Sequence, residues 1–413
     1  MPVPARLRSI LFWAHLTTGV VVGLVVLVMS VTGVLLAYQK QIQTWADARV
    51  VQAVPGVAHL PIDTLVARAA AAVRRLPADA HAMPGHPPAP SAITLRSAHP
   101  AAAEVAFGRE RTVFVHTASG AVLGEGATRV RRFFRTVTDV HRWLAASGPR
   151  RELGKSVTGV ANLGFLLLVT SGLWLWWPRR WTSETVRAVA TFRRGLRGKA
   201  RDFNWHHVIG IWSLVPLFVV VLSGVVISYG WASDLVFRVA GEAPPPRTPE
   251  GGEARGGAPR GSPSDERPET ASLDAIVARA QSRMVDWRIV TVTLPKAADT
   301  AFTVAVDRGT GGQPQKRATI VMARATGAEL SWKPFAAGTP GRRLRSVLRF
   351  AHTGEVLGLA GQTVAMLVSL GGAVLVWTGL ALSVRRLWAW RARRARRADD
   401  VPVERAPAAE RAA

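Results

Sequence analysis

The sequence predicts an α-helical membrane protein with four transmembrane helices in two parallel repeats, plus two small α+β modules outside the membrane. Three observations predict it. Uncharged apolar runs occupy Ile10–Ala37, Val157–Trp177, Val208–Trp231 and Val356–Val384, and each reaches the roughly 20 residues that a helix needs to cross about 30 Å of hydrocarbon. Two of these runs, His15–Tyr38 and His206–Tyr229, align without a gap. In both, glycine follows the histidine after four residues (Gly19, Gly210) and after eighteen (Gly33, Gly224), a small hydroxyl residue precedes the second glycine (Thr32, Ser223), and tyrosine closes the run. Finally, similar pieces recur in the two long connections: Ile62–Ala69 resembles Leu273–Ala280, each an amphipathic helix with aspartate in its first turn (Asp63, Asp274). A chain of 413 residues with 48% hydrophobic content, 15 tryptophans and a net charge of +26 fits no ordinary soluble domain.

In chain order, residues 1–38 carry Arg6 and Arg8 and then the first span. Its apolar core is far longer than the roughly 7–15 residues of a signal peptide, and no small-x-small cleavage pattern follows, so it is expected to be retained. Residues 39–140 form the first module, with strand, turn and strand expected at Val113–Val115, Ser119-Gly120 and Ala121–Leu123. Residues 141–178 hold a histidine segment and the second span, 179–204 a basic loop, and 205–231 the third span. The segment 232–270, rich in Pro, Gly, Arg and Glu from Ala243 to Glu269, is expected as a disordered linker. The second module covers 271–340, with Ile320–Met322, Thr326-Gly327 and Ala328–Leu330 as its strand, turn and strand. Residues 341–385 supply another histidine segment and the fourth span, and 386–413 a basic tail.

Charge sets the expected orientation. The segment Pro178–Trp205 carries eight Lys/Arg against two acids, Glu184 and Asp202, and seven arginines between Arg385 and Arg397 follow the fourth span. These segments and both termini are expected to be cytoplasmic, which places both modules outside. The cations before the second span (Arg131, Arg132, Arg135, Arg142, Arg150, Arg151) run against this, but long loops follow the rule poorly. The basic balance reads as membrane topology, and no solvated basic domain supports nucleic-acid binding. The absence of cysteine removes covalent haem attachment, iron–sulfur clusters, thiolate chemistry and disulfides. Phosphate-binding glycine loops and a His-Glu-x-x-His site are also missing.

The histidines carry the chemistry. His15 and His206 start equivalent spans on the inner side, while His141 and His352 each precede a returning span on the outer side. Eighteen residues of helix beyond His15 span roughly 27 Å, so the two pairs are expected at opposite faces. Two neutral imidazoles facing each other across a flat pocket are what a six-coordinate b-type haem requires, and ionisable residues in a membrane usually face a protein interior with a partner. Two b-type haems are therefore expected. His207 is an alternative to His206: aligning Trp13 with Trp205 favours His207, and the glycine at +4 favours His206. Gly19, Thr18, Gly23, Gly210, Ser213, Gly358, Gly361 and Gly164 suit a macrocycle slot, and ordinary close helix packing uses the same residues. Arg135, Arg142 and Arg349, with Arg131 and Arg345, suit haem propionates or lipid headgroups. His81 and His86 bracket a proline-rich outer loop, an incomplete ligand set for a soft metal.

The segments Trp13-Ala14-His15-Leu16-Thr17-Thr18-Gly19, Val140-His141-Arg142-Trp143-Leu144, Thr170-Ser171-Gly172-Leu173-Trp174-Leu175-Trp176-Trp177-Pro178-Arg179-Arg180, Trp205-His206-His207-Val208-Ile209-Gly210 and His352-Thr353-Gly354 together resemble the PepSY-associated transmembrane family. That family includes iron-regulated membrane proteins and ferric-siderophore reductases of bacterial inner membranes, and the resemblance covers nearly the whole chain. It implies two PepSY-like periplasmic modules, two b haems with His15, His206, His141 and His352 as axial ligands, and one-electron reduction of ferric complexes. The expected partners are the lipid bilayer, a cytoplasmic or quinol electron donor, and a ferric siderophore or other ferric chelate. The alternative is a non-enzymatic membrane regulator or peptidase-binding protein without haem. A transporter ranks last, because no broken helix or midplane charge interrupts the four spans.

Overall fold

A computed structural model describes residues 5–53, 59–75, 89–108, 111–177, 182–246, 270–296 and 299–399. The chain begins with α1 (Ala5–Leu36), α2 (Gln39–Val50) and α3 (Ile62–Arg75). Four strands follow, β1 (Ala92–Arg96), β2 (Ala102–Phe107), β3 (Arg111–His116) and β4 (Val122–Gly124), then α4 (Thr128–Trp143) and α5 (Arg151–Trp176). After α6 (Ser183–Ala190) the same order recurs: α7 (Gly198–Ser228), α8 (Gly230–Val239), α9 (Leu273–Arg283), β5 (Ile289–Thr293), β6 (Ala301–Asp307), β7 (Arg317–Ala323), β8 (Glu329–Pro334), α10 (Pro340–His352) and α11 (Gly358–Asp399). Among the described residues, Arg6–Leu36, Gly148–Trp176, Gly198–Ser228 and Glu355–Arg394 are long and apolar enough to cross a membrane, in line with the four expected spans.

The chain divides into two compact units. One comprises residues 1–31, 160–218 and 368–413. Its core gathers Val22, Val26, Ala161 and Val376, with Phe165, Leu168 and Leu380 against them. Small residues admit the close approach: Gly164 packs on Val22 and Thr18, Gly23 on Val376 and Leu380, and Gly372 on Ser30 and Phe165. Outward apolar side chains such as Val21 and Val215 are left for hydrocarbon to cover. In the basic loop, Thr182 caps α6 through the Thr185 N–H (3.2 Å), and α7 already begins at Gly198. Buried Asp202 is paired with Arg201 (2.8 Å) and Arg385 (3.0 Å), as a buried carboxylate requires.

The other unit comprises residues 32–159 and 219–367 and holds one eight-stranded antiparallel sheet, ordered β4-β3-β2-β1-β5-β6-β7-β8. Two four-stranded meanders, one from each of the two long connections, join edge to edge through β1 and β5, in register from Ala92↔Thr293 to Arg96↔Ile289. At the centre of that seam the Thr94 and Thr291 hydroxyls share a hydrogen bond of 3.0 Å. The pleat sends alternate side chains to opposite faces. Ile93, Val105, Val113, Val290, Val304 and Ile320 lie on one face, buried against Leu65 and Ala69 of α3 and Ile276 and Ala280 of α9. Burial of such a side chain contributes about 1.5–3 kcal/mol.

The two helices exchange caps. The Ile62 N–H donates to Oδ2 of Asp274 (3.0 Å), and the Leu273 N–H donates to Oδ2 of Asp63 (2.9 Å). Each aspartate thereby satisfies a donor left open at the start of the other helix. Asp274→Ala is expected to destabilise this unit by about 1 kcal/mol, seen as a lower thermal unfolding midpoint; an unchanged midpoint would contradict the exchanged cap.

The segment 232–270, expected to be disordered throughout, is helical at its start. Ala232, Val236 and Phe237 of α8 form a buried stripe, and Phe237 lies against Gly341 of α10. Glu242 then accepts from the Gly341 N–H (3.0 Å) and the Thr339 hydroxyl (2.7 Å), capping α10. The remainder of the expected linker, 247–269, lies outside the described residues, as do His81 and His86.

Candidate functional site

In the first unit, α1 carries His15 and α7 carries His206, and the structure brings the two rings together. Their centroids are 6.4 Å apart with an interplanar angle of 83°. Nδ1 of His15 is 2.9 Å from the Ser171 hydroxyl on α5, and Nδ1 of His206 is 2.9 Å from the Thr378 hydroxyl on α11. Each hydroxyl is already committed as a donor, Ser171 to the Leu167 carbonyl (2.6 Å) and Thr378 to the Val374 carbonyl (2.8 Å). A carbonyl only accepts, so the hydroxyl proton goes to it and the oxygen is left to accept from Nδ1–H. This fixes the tautomer: Nδ1 holds the proton in both histidines and Nε2 presents a lone pair. The residues next to the hydroxyls are glycines, and a Cβ on Gly172 or Gly379 would contact Cε1 of His15 or His206 at 3.5 Å. Any larger side chain there would crowd the ring.

The second unit holds the other pair. His141 lies in the last turn of α4 and His352 ends α10, with ring centroids 6.3 Å apart and an angle of 57°. Nδ1 of His141 is 2.8 Å from the Thr32 hydroxyl, and Nδ1 of His352 donates to the Val220 carbonyl at 2.8 Å, with the Ser223 hydroxyl at 3.4 Å. Burial pushes the His352 imidazole below its ordinary pKa, keeping it neutral as ligation requires. Backbone conformation places both rings. After α4 the chain turns through left-handed Leu144 (φ 53°) and Ala145 (φ 60°), and after α10 through Gly354 (φ 73°). A Cβ on Gly354 would collide with the Gly361 carbonyl oxygen.

These distances test the fit of a haem. A metal–imidazole bond is about 2 Å long, so two opposed Nε2 atoms on one iron lie about 4 Å apart and their ring centroids about 6 Å apart. Both pairs meet that span. Each pair thus offers a metal two protein donors, the number that a macrocycle supplying the other four leaves open. The residues fit.

Of the alternatives, His206 rather than His207 opposes His15. The His207 ring lies against Phe203, with centroids 4.1 Å apart, and its Nδ1 donates to the Phe203 carbonyl (2.9 Å). Arg135, Arg142 and Arg349 are exposed, and Arg142 also stacks on Trp143 (4.7 Å). Arg131 is engaged by Asp47 (2.6 Å) and Arg345 by Ser233 (2.7 Å). The glycines expected to form a slot have other neighbours. Gly19, Gly23, Gly164 and Gly210 pack on side chains of adjacent helices, Gly358 faces Gln313, and Gly361 faces the backbone of Gly354. The glycines that make room for histidine rings are Gly172 and Gly379. Their signal in the sequence was a hydroxyl-glycine pair, Ser171-Gly172 and Thr378-Gly379, inside the second and fourth spans.

No curated protein matches the chain. Residues 12–386 match the family described as PepSY-associated TM region. With four membrane-length apolar helices and a match over most of its length, the chain is a membrane protein that belongs to the PepSY-associated TM region family.

Proposed function

We propose that this protein carries electrons across a bacterial inner membrane to reduce a ferric complex, most simply a ferric siderophore, on the periplasmic side. In this reading His15 and His206 hold one b-type haem and His141 and His352 hold a second. The observation that carries it is the pairing itself: four imidazoles in two pairs with ring centroids 6.4 Å and 6.3 Å apart, each Nδ1 taken by an oxygen so that Nε2 is left free to ligate. A bis-imidazole haem gains and loses one electron without opening a coordination position, which suits electron transfer over oxygen binding.

The chain's own residues orient and tune. Ser171 and Thr378 are 2% exposed, so they hold the imidazole protons away from water. Such outer partners fix ring orientation and raise ligand basicity. The Val220 carbonyl does the same for His352. In this reading the termini are cytoplasmic, as the basic segments suggest, and the electron source is a cytoplasmic reductant or a quinol. Arg135, Arg142 and Arg349, all exposed, are the cations assigned to the propionates in this reading. Reduction weakens the hold of hard oxygen ligands on the iron of the substrate, which releases it for uptake.

Ser171→Ala and Thr378→Val are each expected to leave the fold intact and weaken haem retention about 10–100-fold, measured by haemin titration of the apoprotein. Unchanged retention would contradict the role of the hydroxyls. The function itself is tested in liposomes loaded with reductant, with a ferric hydroxamate and an Fe(II)-trapping dye outside. Fe(II) is expected to form in vesicles holding the native chain, and at the background rate with His206→Ala. Equal rates in the two would overturn the proposal.

A further inference from the structure

In the second unit, the turn that follows His352 carries a buried charge. Glu355 lies three residues beyond His352. Its Oε1 pairs with Nζ of Lys40 (2.8 Å), near the start of α2, and its Oε2 accepts from the hydroxyl of Thr353 (3.1 Å), the residue next to His352. Nζ of Lys40 also donates to the Gly311 carbonyl (3.3 Å) and stands 5.7 Å from the ring centroid of Phe350, two residues before His352. Gly312 lies against the Glu355 side chain, and a Cβ there would collide with it. One ion pair thus touches the chain on both sides of His352.

The repeat shows what packing alone requires here. Lys40 stands two residues after Tyr38, and Trp231 two after Tyr229; Glu355 stands three after His352, and Leu144 three after His141. The equivalent positions are both apolar. A buried ion pair can often be replaced by apolar side chains without loss of stability, so stability is a weak reason for this one. Its field is a stronger reason. Three residues of chain span at most about 11 Å, and a buried charge is screened much less than an exposed one over such a distance. We propose that Lys40 and Glu355 tune the redox potential of the His141/His352 centre, an inference that rests on the two-haem reading. Oxidised haem iron carries one more positive charge than reduced iron. A nearby carboxylate therefore favours the oxidised form and lowers the potential, and a nearby ammonium raises it. The Lys40 side chain is 48% exposed against 10% for Glu355, so water screens the ammonium more and the carboxylate has the larger effect. His15 and His206 belong to the other unit.

The two potentials are measured by spectroelectrochemical titration of the full-length, haem-loaded protein in detergent, and the step that disappears in His141→Ala is assigned to the His141/His352 centre. Glu355→Gln, which keeps the shape and removes the charge, is expected to raise that step. Lys40→Met is expected to lower it, and Lys40→Arg, which keeps the charge, to leave it in place. The other step stays put in all three. A change of packing alone would move the potential without regard to the sign of the charge removed. If Glu355→Gln does not fold, Lys40→Met at its half-exposed position carries the test, with Lys40→Arg as its control. Two haems in every variant, with the assigned step unmoved or shifted the same way by Glu355→Gln and Lys40→Met, would overturn the tuning pair alone. A native protein that takes up no haem would overturn the two-haem reading and this inference with it.

Discussion

Replacing His206 by alanine is expected to remove one haem of two, lowering the pyridine haemochrome count from about two per chain to about one. His15→Ala should do the same, because His15 and His206 face each other as one pair. His141→Ala or His352→Ala should remove the other haem and leave the first. His207→Ala supplies the internal control: its ring packs on Phe203 and its Nδ1 is tied to the backbone of its own helix, so both haems should remain. Loss of haem in His207→Ala with retention in His206→Ala would reverse the assignment. Equal, partial loss in every variant would point to general unfolding and contradict two separate sites.

Gly354→Val is expected to abolish the His141/His352 centre and spare the His15/His206 centre. Gly354 follows His352 by two residues in a left-handed conformation (φ 73°). That conformation costs a β-carbon residue roughly 1–2 kcal/mol. The added Cβ would also meet the Gly361 carbonyl oxygen and the Gln362 nitrogen, which are backbone and cannot swing aside. The turn must open, and His352 moves with it. Gly108 makes the comparison fair: it has nearly the same φ (66°) and nothing within 4 Å of an added Cβ. Gly108→Val should therefore show the conformational cost alone, with both haems retained. A full haem count in Gly354→Val would show that the turn does not position His352.

The spans were legible because uncharged apolar runs of membrane length have few other uses. The histidine pairs were legible because the alignment of His15–Tyr38 with His206–Tyr229 carries functional and structural positions together. Other features left no local trace. The β1–β5 seam joins two five-residue strands nearly 200 residues apart in the sequence, and nothing in either strand names its partner. The helix α8 was divided between two readings, Gly230 and Trp231 falling to the third span and its buried stripe of Ala232, Val236 and Phe237 to the expected linker, because so short an apolar segment beside a Pro- and Gly-rich stretch carries little periodicity. Ser171 and Thr378 were hidden for a physical reason. A hydroxyl in a helix ordinarily bonds the carbonyl four residues back, and these do; only the folded structure shows that their lone pairs also serve a histidine. The glycines differ only in what they face. Gly19 meets Leu168 and Gly172 meets His15, a distinction made by helix rotation rather than by residue type.

The most direct test of the account is the absorption spectrum of the purified protein, oxidised and dithionite-reduced, with a haemochrome count per chain. About two low-spin b haems per chain are predicted, one for each histidine pair. A protein that stays colourless after incubation with excess haemin would contradict the central claim.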